Sequence, residues 1–281
     1  AVPFLLGVLL AIWLYGAHAP PGVGFTAFAL FVGISLSITA FPVLLRILAD
    51  RGMTATPLGQ TAIACAALGD ATAWCLLALI VAAAQSQGWV PATINLVFVV
   101  AFVALMLGVV RPWVSRLLIA PGQEGRWLLI MLLMALGCAL VTEMLGIHAL
   151  FGAFAAGVAV SGNATLRHTV AERVEPFAVT LLLPLFFAMT GLRMRADALQ
   201  ASDLVLCLIV IVVATLGKLI GTWSAARSAG MDNHEAWRLG ALMNTRGLME
   251  LIVLNLGYEL GFLGDRLFAV LVIMALVTTA M

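Results

Sequence analysis

Four ionisable residues of this 281-residue chain stand where charge is expensive. Asp70 lies in L-G-Q-T-A-I-A-C-A-A-L-G-D-A-T-A-W-C-L-L and Lys218, the sole lysine, in A-T-L-G-K-L-I-G-T-W. Arg246 and Glu250 share G-A-L-M-N-T-R-G-L-M-E-L-I-V-L-N, and Glu143 closes a further apolar run. A charge at a bilayer centre costs at least about 2.5–3.5 kcal/mol on insertion scales, so two acids and two cations buried in one small bundle demand a reason. They form either an ion or proton path or a structural set of ion pairs that holds interrupted helices together.

Asp70 falls near the middle of its run among Ala66, Ala67, Gly69 and Ala71, small residues that let another helix approach closely. A carboxylate is a hard oxygen ligand suited to Na⁺ or K⁺, with backbone carbonyls and hydroxyls completing the shell. Burial opposes its ionisation and a neighbouring ammonium favours it. A group so balanced exchanges a proton for a cation near neutral pH, the minimal chemistry of an antiporter; the bland alternative is a protonated aspartic acid hydrogen-bonded in the bundle. Lys218, between Gly217 and Gly221, either pairs with a carboxylate, donates to the carbonyls of a broken helix, or carries a proton itself. Arg246 and Glu250 are four apart on one helical face, which fits a local salt bridge as well as a transport role. His148, five residues after Glu143, reads as an interfacial hydrogen-bonding group.

The composition sets the frame for these residues. Hydrophobic residues make up 64% of the chain and charged ones 10%, with mean hydropathy +1.15; soluble domains carry about 45–50% and about 25%. The chain is therefore all-α and polytopic, in contact with the lipid bilayer. A net charge of +1 without a basic patch excludes nucleic acid as a partner. No H-E-x-x-H, nucleotide loop or G-x-S-x-G in a strand–helix context supports an enzyme, and no cofactor is implied. Cys65, Cys75, Cys138 and Cys207 sit in apolar stretches without metal-like spacing and read as small packing residues.

About ten apolar segments can be drawn, near 2–16, 23–49, 58–84, 90–110, 127–144, 146–161, 174–192, 203–227, 236–260 and 266–281, most reaching the roughly 20 residues a bilayer core needs. The fifth and sixth, parted only by 143–146, are either two helices with a tight turn or one helix and a re-entrant piece. The chain opens and closes inside apolar runs, so it reads as the middle of a transporter with its first and last helices cut. The loops after even-numbered segments hold nine of the fourteen basic residues (Arg46, Arg51, Arg111, Arg116, Arg126, Arg167, Arg173, Arg227 and Arg238), whereas the opposite side holds Arg193, Arg195 and Arg266. The nine-residue side is cytoplasmic by the positive-inside rule. Short loops suggest a bacterial inner membrane.

Two segments must be interrupted. In G-I-S-L-S-I-T-A-F-P-V-L-L-R-I-L, Pro42 opens the helix near 38–41, where Ser35, Ser37 and Thr39 offer oxygens; the result is either an ordinary proline kink or an unwound stretch facing protein or a wet cavity. Asn244, Thr245, Arg246 and Gly247 fall together at mid-span in segment nine. The two interrupted segments run in opposite directions and each neighbours a helix with a lone charge, Asp70 or Lys218. Residues 1–84 and 203–281 thus read as two copies of a three-helix unit in inverted topology within a single domain, with 90–192 supplying intervening core and interface helices. Secondary transporters build midplane sites in this way.

S-I-T-A-F-P-V-L-L-R-I-L, G-D-A-T-A-W, G-I-H-A-L-F-G-A-F-A-A-G, L-P-L-F-F-A-M-T-G-L, L-G-K-L-I-G and M-N-T-R-G-L-M-E-L-I-V, in this order, resemble the monovalent cation:proton antiporter-2 family, and most of all the plant cation/H⁺ exchangers and their bacterial relatives. The resemblance runs from about residue 3 to the end. It implies twelve to fourteen helices, a homodimer, and a core with two crossed, unwound helices that moves elevator-fashion against a dimerisation domain. By motif, Asp70 takes the place of the essential cation- and proton-binding aspartate, Thr39 that of the residue at the unwound crossing, and Lys218 that of the core basic residue. Arg246 and Glu250 match the charged part of the second crossing helix. Ser37 joins Asp70 and Thr39 as a candidate ligand, and Asn244 joins the charged core as support. Family members often carry Asp or Asn just before the essential aspartate, where this chain has Gly69. Lys218 then lacks that partner and one proton carrier is gone, which implies electroneutral exchange of one proton per cation.

The expectation is an Na⁺ or K⁺/H⁺ antiporter with Asp70 as the competing ligand. A sodium-coupled organic-anion symporter of related architecture, a gated K⁺ efflux protein and a purely structural membrane scaffold are the rivals. Symport requires Na⁺ uptake that depends on the organic solute, efflux through a channel-like path needs no proton, and a scaffold is indifferent to Asp70→Asn.

Overall fold

The computed structural model describes residues 1–85, 97–98, 100–117, 119, 122–145, 149–194 and 199–280. Every regular element among them is helical, as the apolar runs require of a chain in lipid. The elements are α1 (Val2–His18), α2 (Phe25–Ser37), α3 (Phe41–Asp50), α4 (Pro57–Gln85), α5 (Val100–Ser115), α6 (Glu124–Met144), α7 (Ala149–Val160), α8 (Ala164–Arg193), α9 (Ala201–Ser228), α10 (Asn233–Met243), α11 (Leu248–Glu259) and α12 (Asp265–Ala280). Among the described residues five stretches are long and apolar enough to cross a membrane, including Phe25–Asp50 taken through its break. The chain is an all-α polytopic integral membrane protein.

Two compact units divide it, residues Ala1–Leu77 with Thr190–Met281, and Ala78–Met189. The first unit holds both broken helices. In chain order it runs helix, broken helix, long helix (α1, α2/α3, α4), and later long helix, broken helix, helix (α9, α10/α11, α12). Glycines set its tightest approaches. A Cβ on Gly7 of α1 would come within 2.7 Å of the Gly33 Cα on α2, one on Gly217 of α9 within 2.9 Å of Leu6 on α1, and one on Gly257 of α11 within 2.1 Å of the Phe31 ring on α2. Close packing of this kind replaces the hydrophobic drive that lipid does not supply. At one end, Arg266 at the start of α12 grips Asp203 at the start of α9 through both carboxylate oxygens.

The second unit is built on α5, α6 and α7 with the first part of α8. Gly152 of α7 lies against the backbone of Cys138 on α6, where a Cβ would fall 2.0 Å from the carbonyl oxygen. Val114, Met131, Val160 and Leu166 form one buried cluster and Met106, Ala156 and Ala159 another. The Asn163 side chain accepts from the Leu166 amide to cap α8 and donates to the carbonyls of Val114 and Leu117, at 3.0 Å each. Met106–Val110 and Ala178–Leu182 widen to π turns just ahead of Pro112 and Pro184, which cannot donate to the helical ladder.

The structure moves some segment boundaries and decides between the two readings of the fifth and sixth segments. Helix α8 starts at Ala164, about ten residues before the expected 174, so Arg167 and Arg173 lie on helix and not in a loop. The apolar tally missed this turn-rich extension because A-T-L-R-H-T-V-A-E-R is polar, yet Asn163 caps it and helical spacing buries Leu166 and Thr169. The fifth and sixth segments are two separate helices, α6 and α7, and Glu143 accepts from the Ala149 amide at 2.8 Å at the head of α7. His148 and Arg195 lie outside the described residues.

Candidate functional site

The site grows from two helix interruptions in the first unit. Helix α2 ends at Ser37 and the chain is extended at Ile38 and Ala40 before α3 begins at Phe41. Pro42 sits in the first turn of α3, where its missing amide costs nothing and its ring bars a continuous helix. Helix α10 ends at Met243, and α11 begins at Leu248 after Gly247, whose φ of +149° is open only to glycine. A Cβ there would also press on Val43 Cγ2 at 2.9 Å. The two interruptions meet: the Ala40 amide donates to the Thr245 carbonyl at 3.0 Å, and Thr39 Oγ1 donates to the Met243 carbonyl at 3.1 Å.

Breaking a helix in lipid leaves carbonyls and amides that must find partners within the protein. At the C-terminal end of α2 the partners are cations. Arg246 donates to the carbonyls of Ser35 (3.0 Å) and Leu36 (2.8 Å), and Lys218 donates to the carbonyl of Ser37 and to Thr39 Oγ1. Both fit the negative end of a helix dipole. Arg246 also holds Glu250 Oε1 at 2.8 Å, and both residues are fully buried. Glu250 in turn stands in the first turn of α11, at the positive end of that half-helix.

Asp70 stands on α4, 8% exposed. The Phe41 amide at the head of α3 faces its carboxyl, and its Oδ1 has no hydrogen-bond partner. The Asn244 Oδ1 and the Glu250 Oε2 are likewise buried without a partner.

The expected site residues therefore converge, each with a distinct position. Thr39, Lys218, Arg246, Glu250 and Asn244 lie at the crossing, and Asp70 faces it through Phe41. The Ser37 hydroxyl turns back onto its own helix, donating to the Ile34 carbonyl at 3.1 Å; it is the Ser37 carbonyl that takes Lys218. Of the uses open to Lys218, donation to a broken helix is the one seen. Sequence reasoning missed the backbone atoms that make most of these contacts, the carbonyls of Ser35, Leu36, Met243 and Thr245 and the amide of Ala40, since every residue carries them. It also missed Asn255, buried in α11, which donates to Thr190 Oγ1 at 2.8 Å and accepts from Arg193, itself ion-paired with Glu259. An asparagine inside L-I-V-L-N-L-G was the available signal.

Comparison with known proteins follows from this geometry. The family model described as sodium/hydrogen exchanger, transmembrane, matches residues 1–281. A protein named Na⁺/H⁺ antiporter NhaS4 from Synechocystis is 38% identical over 283 residues, covering 99% of this chain and 69% of its own. Cation/H⁺ antiporter 20 of Arabidopsis thaliana is 40% identical over 301 residues (99% of this chain, 35% of its own), and K⁺/H⁺ antiporter 1 of Saccharomyces cerevisiae is 30% identical over 293 residues (99% and 33%). The chain thus spans about two-thirds of the cyanobacterial protein and about a third of the plant and yeast ones.

Proposed function

This chain belongs to the sodium/hydrogen exchanger transmembrane family, a family of transporters and not of enzymes, and on that premise we propose that it exchanges a monovalent cation, Na⁺ or K⁺, for H⁺ by alternating access. Asp70 takes the cation and the proton in competition. The observation that carries this reading is a buried aspartate with an unpartnered oxygen beside the crossing of two broken helices. There a carboxylate, freed backbone groups and half-helix ends come together, the ingredients of a midplane ion site.

Protonated, the Asp70 carboxyl is neutral and holds no cation; ionised, it offers two hard oxygens in a site of low dielectric, where one positive charge restores balance. Because either occupant neutralises the same group, the site is neutral when loaded with H⁺ or with Na⁺ or K⁺. Lys218 and Arg246 remain tied to α2 carbonyls throughout and hold the crossing open. One proton then moves per cation, and exchange is electroneutral. The relatives named for Na⁺/H⁺ and K⁺/H⁺ exchange support cation:proton antiport as the chemistry, and the short loops favour a bacterial inner membrane. The working unit is a homodimer of the full-length protein.

The test uses the full-length parent in proteoliposomes with an internal pH dye. A proton gradient is imposed, Na⁺ or K⁺ is added separately, and wild type is compared with Asp70→Asn. Dissipation by one cation in wild type and silence in the variant are expected. Equal activity of the variant, or a gradient indifferent to both cations, would overturn the reading and move a sodium-coupled symporter ahead.

A further inference from the structure

The two helix C-termini at the crossing are treated differently. At the end of α2, the carbonyls of Ser35, Leu36 and Ser37 accept from Arg246 and Lys218, so two formal positive charges already answer that negative dipole. At the end of α10 every donor is neutral. The Ala241 carbonyl accepts from the Asn244 amide, the Leu242 carbonyl from the Thr245 amide and hydroxyl, and the Met243 carbonyl from the Thr39 hydroxyl. Among the described residues no side-chain cation donates directly to these carbonyls; Lys218 reaches this end only through the Thr39 hydroxyl that binds Met243.

Asn244 caps that terminus. It is 7% exposed, and its Oδ1 is buried without a hydrogen-bond partner. A bare amide carbonyl oxygen in the interior is costly unless something positive meets it. Asn244 precedes Thr245, whose carbonyl takes the Ala40 amide, and the next residue along, Phe41, turns its amide to Asp70. The Asp70 Oδ1 and the Asn244 Oδ1 are thus two unpartnered buried oxygens, each attached to a segment that the Ala40–Thr245 hydrogen bond joins. Arg246, two residues on, directs its two terminal guanidinium nitrogens to α2 and Glu250, and its buried Nε makes no hydrogen bond to the Asn244 oxygen.

We infer that Asn244 is a direct ligand of the transported monovalent cation, its amide oxygen acting with Asp70 at the C-terminal end of α10. This rests on the proposed Asp70 chemistry and adds a neutral, selectivity-setting ligand to it: a carboxylate attracts any cation, whereas the reach of a fixed amide oxygen discriminates by ion radius. Amide carbonyls are hard donors of the same kind as backbone oxygens.

Full-length protein in proteoliposomes tests this with Na⁺ and K⁺ as the probes. Asn244→Ala is expected to raise the cation concentration for half-maximal exchange about tenfold, as loss of one charge–dipole contact would, to change the Na⁺/K⁺ ratio, and to retain the maximal rate at saturating cation. Thermal stabilisation of the detergent-solubilised protein by the preferred cation is expected to disappear in the same variant. Unchanged half-saturation with unchanged stabilisation, or a lost maximal rate at unchanged half-saturation, overturns the inference. Asp70→Asn run alongside separates the two readings: if it abolishes both signals while Asn244→Ala leaves them intact, only the role of Asn244 fails, and if Asp70→Asn keeps them, the Asp70 chemistry fails. Should Asn244→Ala not fold, Asn244→Asp carries the test, because it keeps the side chain's shape and adds charge; a lower half-saturation supports the inference and an unchanged one overturns it.

Discussion

The Ala40 amide donates to the Thr245 carbonyl across 205 positions of sequence, and this bond ties the interruption of one helix to the interruption of another. Neither extended stretch can satisfy its own backbone in lipid. Each becomes tolerable because the other is there, together with Lys218 from α9 and Arg246 from the second break itself.

Arg246 is the group whose loss costs most. Arg246→Ala would strand the carbonyls of Ser35 and Leu36 and leave Glu250 as a buried, unpaired acid. Breaking such a pair by removing one partner costs about 3–5 kcal/mol. Thermal unfolding in detergent followed by size exclusion should show a large loss of folded protein. Glu250→Gln, which keeps an acceptor for the guanidinium, should be clearly milder. Equal stability of Arg246→Ala and wild type would show that the guanidinium is not what holds the end of α2.

Gly247→Ala meets both a backbone and a space problem. Its φ of +149° disfavours any side chain, and a Cβ would stand 2.9 Å from Val43 Cγ2. A cost of about 1–3 kcal/mol is expected, and Val43→Ala in the same chain should recover only part of it, since the backbone strain remains. Full recovery would assign the whole effect to the clash.

Thr39 joins three elements through one hydroxyl, donating to Met243 and accepting from Lys218. Thr39→Val keeps the shape and removes both bonds, leaving the Met243 carbonyl without its partner, for about 1–3 kcal/mol and with exchange strongly reduced. Thr39→Ser restores the oxygen and should exchange at close to the wild-type rate. If valine exchanges as well as serine, the hydroxyl has no part in the site.

Gly69 offers a test of stoichiometry. Beyond its chain neighbours and the backbone of its own helix, no atom lies within 4 Å of a Cβ added there, so Gly69→Asp should fold. A second carboxylate beside Asp70 adds a second proton carrier. Exchange by this variant should respond to a membrane potential imposed across the proteoliposome, whereas the steady-state gradient formed by wild type should not. Potential-dependent exchange in wild type would overturn electroneutrality outright.

The polytopic all-α fold was legible in the sequence, and so was the place of both interruptions. Hydropathy reports lipid contact residue by residue, and Pro42 and Asn244–Gly247 are local signals whose consequences are local. The cost of burying Asp70, Lys218, Arg246 and Glu250 marked the same four residues before any geometry was known, because desolvation belongs to each group alone. The polar extension of α8 escaped that logic, since its helix depends on the Asn163 cap and on packing of Leu166.

Pairing was decided only by the tertiary structure. The sequence spacing of Arg246 and Glu250 announced their contact, but nothing in it distinguished a Lys218 that meets a carboxylate from one that meets the carbonyl of Ser37. Nor could it say that the Ser37 hydroxyl turns back to Ile34, or that cations answer the end of α2 while neutral donors answer the end of α10. Those outcomes depend on backbone groups common to all residues, which acquire meaning only when two breaks far apart in the chain are brought to one place.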